Sequence, residues 1–363
     1  MTRLRDDADD FAGAIDNAAR ELRLAAEFVE KDYWVTQALR ALHRCYAGWF
    51  VLKGGTSLAK GYNLIERFSE DVDVLVSPAK GDSAKSRERL LLAVVEGVAT
   101  EMGVTWTPAR DPGRGTSAHR ADVLVYPRLP RRGTIVVPIE DRGVLLETGF
   151  AGGNWPSELV EITPILCEPL GIDPAEFEDT ASFSVPALKP ARTLLEKLSL
   201  LHHVAEEHQR SGSADARCGR HYYDVYRLLD HSPTREDLKD RKAFARIISE
   251  MEQISAQHFG TWKPRPDGGY GQSPAFAPTD GSDLARWLAA RYRDSAGLLP
   301  AKVTGSWPSF GKVLKRVEKY RELCCRRFGR PPSTAPRARE GEPPTRSPTA
   351  GEAPSPARLA SSC

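Results

Sequence analysis

The stretch from Lys53 to Val76 constrains this 363-residue chain more than any other. An apolar run, Trp49 to Leu52, leads into Lys53-Gly54-Gly55-Thr56-Ser57-Leu58-Ala59-Lys60 and reads as a buried strand. Gly54 and Gly55 permit a tight turn and a close approach of backbone to a ligand. Thr56 or Ser57 is placed to cap a short helix, whose first free N–H groups form a site for phosphate. After Gly61 to Arg67 comes Phe68-Ser69-Glu70-Asp71-Val72-Asp73-Val74, and the chain returns as a second strand, Asp71–Val76. Asp71 and Asp73 stand at i and i+2, so their carboxylates share one strand face. Two carboxylates beside a phosphate-binding turn suit Mg²⁺, which takes oxygen ligands and leaves room for substrate phosphates. Taken singly, Gly-Gly is a common turn and Asp-x-Asp a solvated strand face. It is their succession across two strands that calls for chemistry.

These two runs resemble the nucleotidyltransferases of the AbiEii/AbiGii toxin family, to which the MenT toxins are related. The Gly-Gly-Thr-Ser to Asp-x-Asp succession marks the wider polymerase-β-like nucleotidyltransferase superfamily. The longer Arg67-Phe68-Ser69-Glu70-Asp71-Val72-Asp73 form points to AbiEii. The resemblance implies an α/β (α+β) fold: a nucleotidyltransferase core with a mixed sheet, followed by a mainly helical C-terminal domain. It implies transfer of a nucleoside monophosphate from an NTP to an acceptor, with pyrophosphate released. Gly54, Gly55, Thr56, Ser57 and Lys60 are then the nucleotide-binding candidates of the turn, and Asp71 and Asp73 the catalytic ligands of Mg²⁺.

Further residues join this set from later in the chain. Strands are expected at Ala121–Tyr126, Thr134–Ile139 and Val144–Thr148. Glu147 interrupts the last of these, and a carboxylate there is costly to bury unless paired or bound to metal. The superfamily's third acid stands on a neighbouring strand, which makes Glu147 a metal-ligand candidate and Asp122 the alternative. The plain reading is an edge-strand glutamate in solvent. Pro190 suits the first turn of a helix reaching Glu206, with Leu194, Leu198 and Leu201 as its apolar stripe. Lys197 shares that face and either snorkels to the edge or reaches into a cleft.

The helix resembles the family's Arg-Thr, Glu-Lys, Leu-His motif. That implies a catalytic or triphosphate-contacting Lys197 and an auxiliary phosphate contact at Arg192; spacing alone pairs Arg192 with Glu196. His202 and His203 point in different directions, lack a third ligand at suitable spacing, and read as structural. The run Arg220-His221-Tyr222-Tyr223-Asp224 resembles the family's closing motif. It implies Asp224 as a catalytic acid and Arg220 as its partner or a nucleotide contact. Spacing alone gives helical ion pairs from Asp224 to Arg220 and Arg227.

Elsewhere helical periodicity predicts a first helix through Phe11, Ile15 and Leu22, and others over Glu27–Cys45, Ser83–Met102, Thr234–Gln257, Asp283–Tyr292 and Pro308–Phe328. In the second of these, Glu30-Lys31-Asp32-Tyr33-Trp34 resembles the run preceding the Gly-Gly strand in the family. The implied role is a brace for the sheet, and the plain alternative is a solvated charged edge. The Gly- and Pro-rich Thr261–Ser282 reads as a loop.

Three regions follow: a nucleotidyltransferase core with N-terminal helices at 1–186, a helical domain completing the active site at 187–330, and a disordered tail at 331–363 that is poor in large apolar residues. A net charge of +2 demands no nucleic-acid partner, so any basic surface is local. The Pro308–Phe328 helix, with Lys312, Lys315, Arg316 and Lys319, is the candidate. No run is long and apolar enough to span a membrane, none resembles a signal peptide, and six cysteines without Cys-x-x-Cys spacing read as reduced thiols. These features suit a cytoplasmic protein.

The family includes toxins of toxin–antitoxin and phage-defence systems, which implies a cognate antitoxin and makes RNA, a tRNA 3′ end first, the acceptor to test. The alternatives are a catalytically weak nucleotide- or RNA-binding module and a transferase acting on a protein or small molecule.

Overall fold

The computed structural model describes residues 2–77, 83–109, 119–130, 143–150, 152–173, 175–258, 262–298 and 307–324. Helix α1, Ala8–Leu22, starts at Asp7, whose carboxylate accepts from the N–H groups of Asp9 and Asp10. It ends at Arg23, which adopts the left-handed conformation, and it buries Phe11, Ile15 and Ala18.

Helix α2, Ala26–Tyr46, is buried on nearly every side. Its charged edge is not solvated: Glu30, Lys31 and Asp32 are all buried, because each satisfies a segment brought from elsewhere. The Glu30 carboxylate accepts from the Leu129 N–H at 2.8 Å. Lys31 donates to the Gly143 carbonyl and lies 3.6 Å from Glu70. Asp32 accepts from Lys60 at 2.6 Å and from the Ile165 N–H at 2.8 Å.

Seven strands form one mixed sheet in the order β3-β4-β5-β2-β1-β7-β6. They are β1 (Phe50–Lys53), β2 (Asp71–Val76), β3 (Thr105–Pro108), β4 (His119–Val125), β5 (Val144–Gly149), β6 (Ser157–Ile162) and β7 (Phe183–Leu188). β2 runs antiparallel to β1 with Lys53 opposite Asp73, and parallel to β5 with Asp73 opposite Glu147. β1 and β7 are also parallel.

Three of these strands escape the sequence reading. β3 and β6 are short edges; Leu159 of β6 is 72% exposed, so neither carries a clean apolar alternation. β7 contains Pro186, which obscures the strand pattern, yet a strand tolerates proline where no ladder donor is needed. The strand expected at Thr134–Ile139 and the tail from Pro331 lie outside the described residues. The expected division after residue 186 falls inside β7, so the helical region begins at Pro190.

Helix α3, Ala84–Met102, packs with α1 and α2 on the sheet in one apolar cluster. A second cluster joins α4 (Pro190–Ser211), α5 (Gly219–Asp230), α6 (Arg241–His258), α7 (Asp283–Asp294) and α8 (Phe310–Lys319). Leu58 and Ile65, from the connection between β1 and β2, are buried in this second cluster, so the turn is clamped to the helical half.

Two expected helices are broken. Thr234–Gln257 divides into Ser232–Asp237 and α6, and Pro308–Phe328 pauses at Tyr320 before a short helix, Arg321–Cys324. Cys167 and Cys218 are free and buried, and Cys324 is buried.

Removing the Asp32 carboxylate strands the buried Lys60 ammonium and the Ile165 N–H. Asp32→Ala is expected to lower unfolding free energy by about 3 kcal/mol, measured from urea midpoints. An unchanged midpoint would show that Lys60 finds water instead.

Candidate active site

A cavity of about 390 Å³ opens between the β1–β2–β5 part of the sheet and helices α4, α5 and α6. Its floor begins at the Gly-Gly turn. Gly54 has φ +72°, and a Cβ there would lie 3.1 Å from Asp73 Oδ2. A Cβ on Gly55 would lie 2.6 Å from Ser69 Oγ and 2.7 Å from the Arg67 guanidinium. Side chains at these positions would push the turn off β2.

Thr56 and Ser57 do not cap the helical turn, and neither lines the cavity. Thr56 Oγ1 donates to the Asp71 carbonyl and sits 3.1 Å from Ser69 Oγ; Ser57 Oγ donates to the Gly54 carbonyl at 3.0 Å. Both hydroxyls fasten the turn to itself and to β2. Ser69, rather than Thr56 or Ser57, brings a hydroxyl to the sheet side of the cavity wall. The sequence held a signal for it, since Ser69 precedes Asp71 by the same two-residue step that separates Asp71 from Asp73. Lys60 lies away from the cleft, held at Asp32 and 3.4 Å from the Thr163 carbonyl.

Asp71, Asp73 and Glu147 line the cavity together. Both Asp73 oxygens lie 2.8 Å from Lys53 Nζ, and Asp71 Oδ2 lies 3.6 Å from Arg220. Burial pushes the Lys53 pKa down, but Asp73, with Glu196 and Glu147, draws it above its ordinary value. Glu147 is aligned with Asp73, whereas Asp122 is aligned with Leu146 on the other face, where Arg120 binds it at 2.8 Å. Asp122 therefore does not reach the cleft. Among the described residues no group of three His, Cys, Asp or Glu side chains is gathered closely enough to hold a metal by itself.

Asp224 is completely buried, and its partner is neither Arg220 nor Arg227. Arg67 grips it with two parallel bonds, Nε to Oδ1 at 2.6 Å and an Nη to Oδ2 at 2.7 Å. Lys197 Nζ lies 2.8 Å from Oδ2. Burial would raise the Asp224 pKa, but Arg67 and Lys197 hold it well below the carboxylate range. Lys197 is pulled below its ordinary value by burial, with Arg67 and Arg220 adding and Asp224 opposing. A carboxylate enclosed in this way positions Lys197 and is shut off from a substrate. In sequence Arg67 opens the Arg-Phe-Ser-Glu-Asp-Val-Asp signature, and the clue to its role is a guanidinium that must find a buried carboxylate.

Arg192 is 1% exposed. It donates to Glu196 at 2.9 Å, to the Trp155 carbonyl at 2.9 Å and to Glu250, so the ion-pair reading of this residue describes its contacts. Thr193, one step along α4, lines the cavity with a buried Oγ1 that has no hydrogen-bond partner.

The two histidines divide. His202 is structural, bonded to Ser273 and to the Pro264 carbonyl. His203 lines the cavity and stacks on Trp262, with ring centroids 6.5 Å apart at 18°. Leu200, Met251 and Ile254 complete an apolar wall opposite the acids.

A mixed sheet that presents acids to a cleft facing a lysine-bearing helix defines an α/β fold of the nucleotidyltransferase kind. A profile described as "Nucleotidyl transferase AbiEii toxin, Type IV TA system" matches residues 37–301. The chain belongs to this family of nucleotidyltransferase toxins. Among solved structures, it is similar to MenT4, a nucleotidyltransferase toxin from Mycobacterium tuberculosis H37Rv, at TM-score 0.41 and 17% identity, covering 84% of this chain and 98% of that one. No curated protein matches it.

Arg67→Met leaves Asp224 with only Lys197 and the neighbouring His221 in a dry site and is expected to cost about 3–5 kcal/mol of stability by chemical denaturation. His221 lies 3.3 Å from Lys197, and its pKa is pushed from 6.5 to about 3 by burial and then by the lysine's charge. Between these values the unfolded chain takes up a proton that the folded protein refuses, so stability falls as pH drops through that window. His221→Gln is expected to flatten the fall between pH 7 and 4 by about 3 kcal/mol. An equal slope in both proteins would contradict it.

Proposed function

We propose that the cleft transfers a nucleoside monophosphate from an NTP to RNA, a tRNA 3′ end first, in a divalent-cation-dependent reaction. One observation carries this reading: Asp71, Asp73 and Glu147 stand in adjacent register on β2 and β5, across one cavity from Lys197 and Arg220. The donor set fits Mg²⁺, since these carboxylates are hard oxygen ligands open to the cleft. Asp224 does not fit that role, because both its oxygens are spent on buried cations. Asp71 and Asp73, with Glu147 adjoining, would hold the ion, which would supply charge neutralisation during the transfer.

The chain's own groups have separable tasks. Gly54 and Gly55 let the triphosphate approach the backbone of the turn. Lys197, aimed by Asp224 and Arg67, neutralises charge developing on the phosphates. Arg220 is placed to exchange Asp71 for a phosphate. One of the cleft acids accepts the proton of the acceptor hydroxyl. The wall of Trp262, His203, Met251 and Ile254 takes the nucleobase by stacking and apolar contact.

RNA as the acceptor rests on α8. Val313 and Val317 face the core, while Lys312, Lys315 and Lys319 are exposed together on the opposite side. Such a face binds phosphates through counterion release, with log affinity falling by ~0.7–0.9 per phosphate neutralised per unit log salt. Growth arrest through blocked translation, and relief by a cognate antitoxin, follow from the same reading.

The test incubates purified protein with each labelled NTP, Mg²⁺ and total RNA, and separates the products by size. Label is expected on RNA with at least one nucleotide, and Asp71→Ala and Asp73→Ala are expected to abolish it while remaining folded. Reversing the charge of Lys312, Lys315 and Lys319 is expected to weaken RNA binding and spare NTP binding. Label on protein or small molecules and none on RNA would reject the acceptor and keep the chemistry. Near-normal transfer by the folded double aspartate variant would reject the chemistry.

A further inference from the structure

Lys53 ends β1 one residue before the Gly-Gly turn, and the strand register gives it a particular neighbourhood. It stands opposite Asp73, which in turn stands opposite Glu147, so the three form one row across β1, β2 and β5. Its ammonium lies 2.8 Å from each Asp73 oxygen, and Glu147 and Glu196 are within electrostatic reach. The pair is open to the cavity, with side-chain exposures of 25% for Lys53 and 22% for Asp73. The lysine is thus neither sealed into the core nor free in solvent. It occupies the carboxylate on which the proposed function depends.

A cation that ligates Asp73 needs at least one of the two oxygens that Lys53 covers. Close contact of the ammonium and a divalent ion with the same carboxylate places like charges side by side, which is unfavourable in a partly dry cleft. We propose that Lys53 is a built-in counter-cation of the metal-free site: it neutralises Asp73 at rest, is displaced when a divalent cation arrives, and then turns its charge towards the triphosphate. Its flexible four-carbon stem allows the exchange without movement of β1. The proposal rests on the reading that Asp71 and Asp73 hold the metal. It adds that the acids are kept from repelling one another in the metal-free protein, and that metal binds weakly until a nucleotide supplies a second place for the lysine's charge.

The test measures Mn²⁺ binding to the full chain by electron paramagnetic resonance without nucleotide, in the wild type and in Lys53→Met, Lys53→Arg and Asp73→Asn. An opposite charge this close to a carboxylate biases its cation affinity by roughly tenfold or more, so Lys53→Met is expected to bind Mn²⁺ about tenfold tighter than the wild type. Lys53→Arg keeps the charge and is expected to show no tightening. Mg²⁺ is also expected to raise the Tm of Lys53→Met by more than that of the wild type. If Lys53→Met does not fold, Lys53→Gln carries the same expectation. Equal Mn²⁺ affinity with and without the lysine, still abolished by Asp73→Asn, overturns the exchange and leaves the metal site standing. Absence of Asp73-dependent binding in every protein overturns both.

Discussion

The Asp224 carboxylate is the constraint around which the two halves of the molecule close. It is wholly buried, and a lone carboxylate in such a place would be expelled or protonated. Two cations prevent that, each from a different part of the chain: Arg67 from the approach to β2 and Lys197 from α4. To satisfy this one group, the end of the central strand β2 that carries Asp71 and Asp73 must come against the helices α4 and α5. The same bonds that keep Asp224 ionised aim the Lys197 ammonium into the cleft. Leu58 and Ile65 supply the apolar part of this junction, and the ion cluster supplies its direction.

Charge of both signs lines the cleft. Asp71, Asp73 and Glu147 lie along the sheet, where Lys53 from β1 and Arg220 from α5 meet the aspartates, while Lys197 stands across the cleft beside Asp224. A polyanionic substrate on its own would be repelled by the acids, and a bare metal ion by the bases. Under the proposed function the site is matched to the two together, since a triphosphate with its cation offers both signs of charge at once. The apolar wall of Met251, Ile254 and Trp262 lies outside this pattern, where a neutral ring would meet no uncompensated charge.

Much of this was legible in the residue order, and the parts that were not share a cause. The Gly-Gly turn, both aspartates on one face and Lys197 among buried leucines follow from local periodicity, which a chain displays without its partners. Glu147 was readable as a charge out of place in an apolar strand. What local pattern does not display is pairing. Thr56 and Ser57 looked like phosphate ligands because their type suits that work, yet their hydroxyls hold the turn to Asp71 and Gly54. Lys60 looked like another phosphate contact and is claimed by Asp32, 28 residues earlier. Arg220 looked like the mate of Asp224 at helical spacing, but Arg67, 157 residues away in sequence, holds that carboxylate with better geometry. β3 and β6, as edges, had little burial to impose an alternation, and β7 was hidden by its proline.

The triplet Glu30-Lys31-Asp32 in α2 has a reach that its position conceals. None of its side chains lines the cleft, yet together they fix Leu129, Gly143, Glu70, Lys60 and Ile165, the ends of segments that frame the sheet. Tolerance to mutation will thus be distributed unlike distance from the chemistry. Survivors selected for having lost the protein's activity should carry lesions in this helix as readily as at Asp71 or Asp73. The exposed lysines of α8, although nearer in kind to a ligand-binding surface, should drift freely wherever that surface is not under selection.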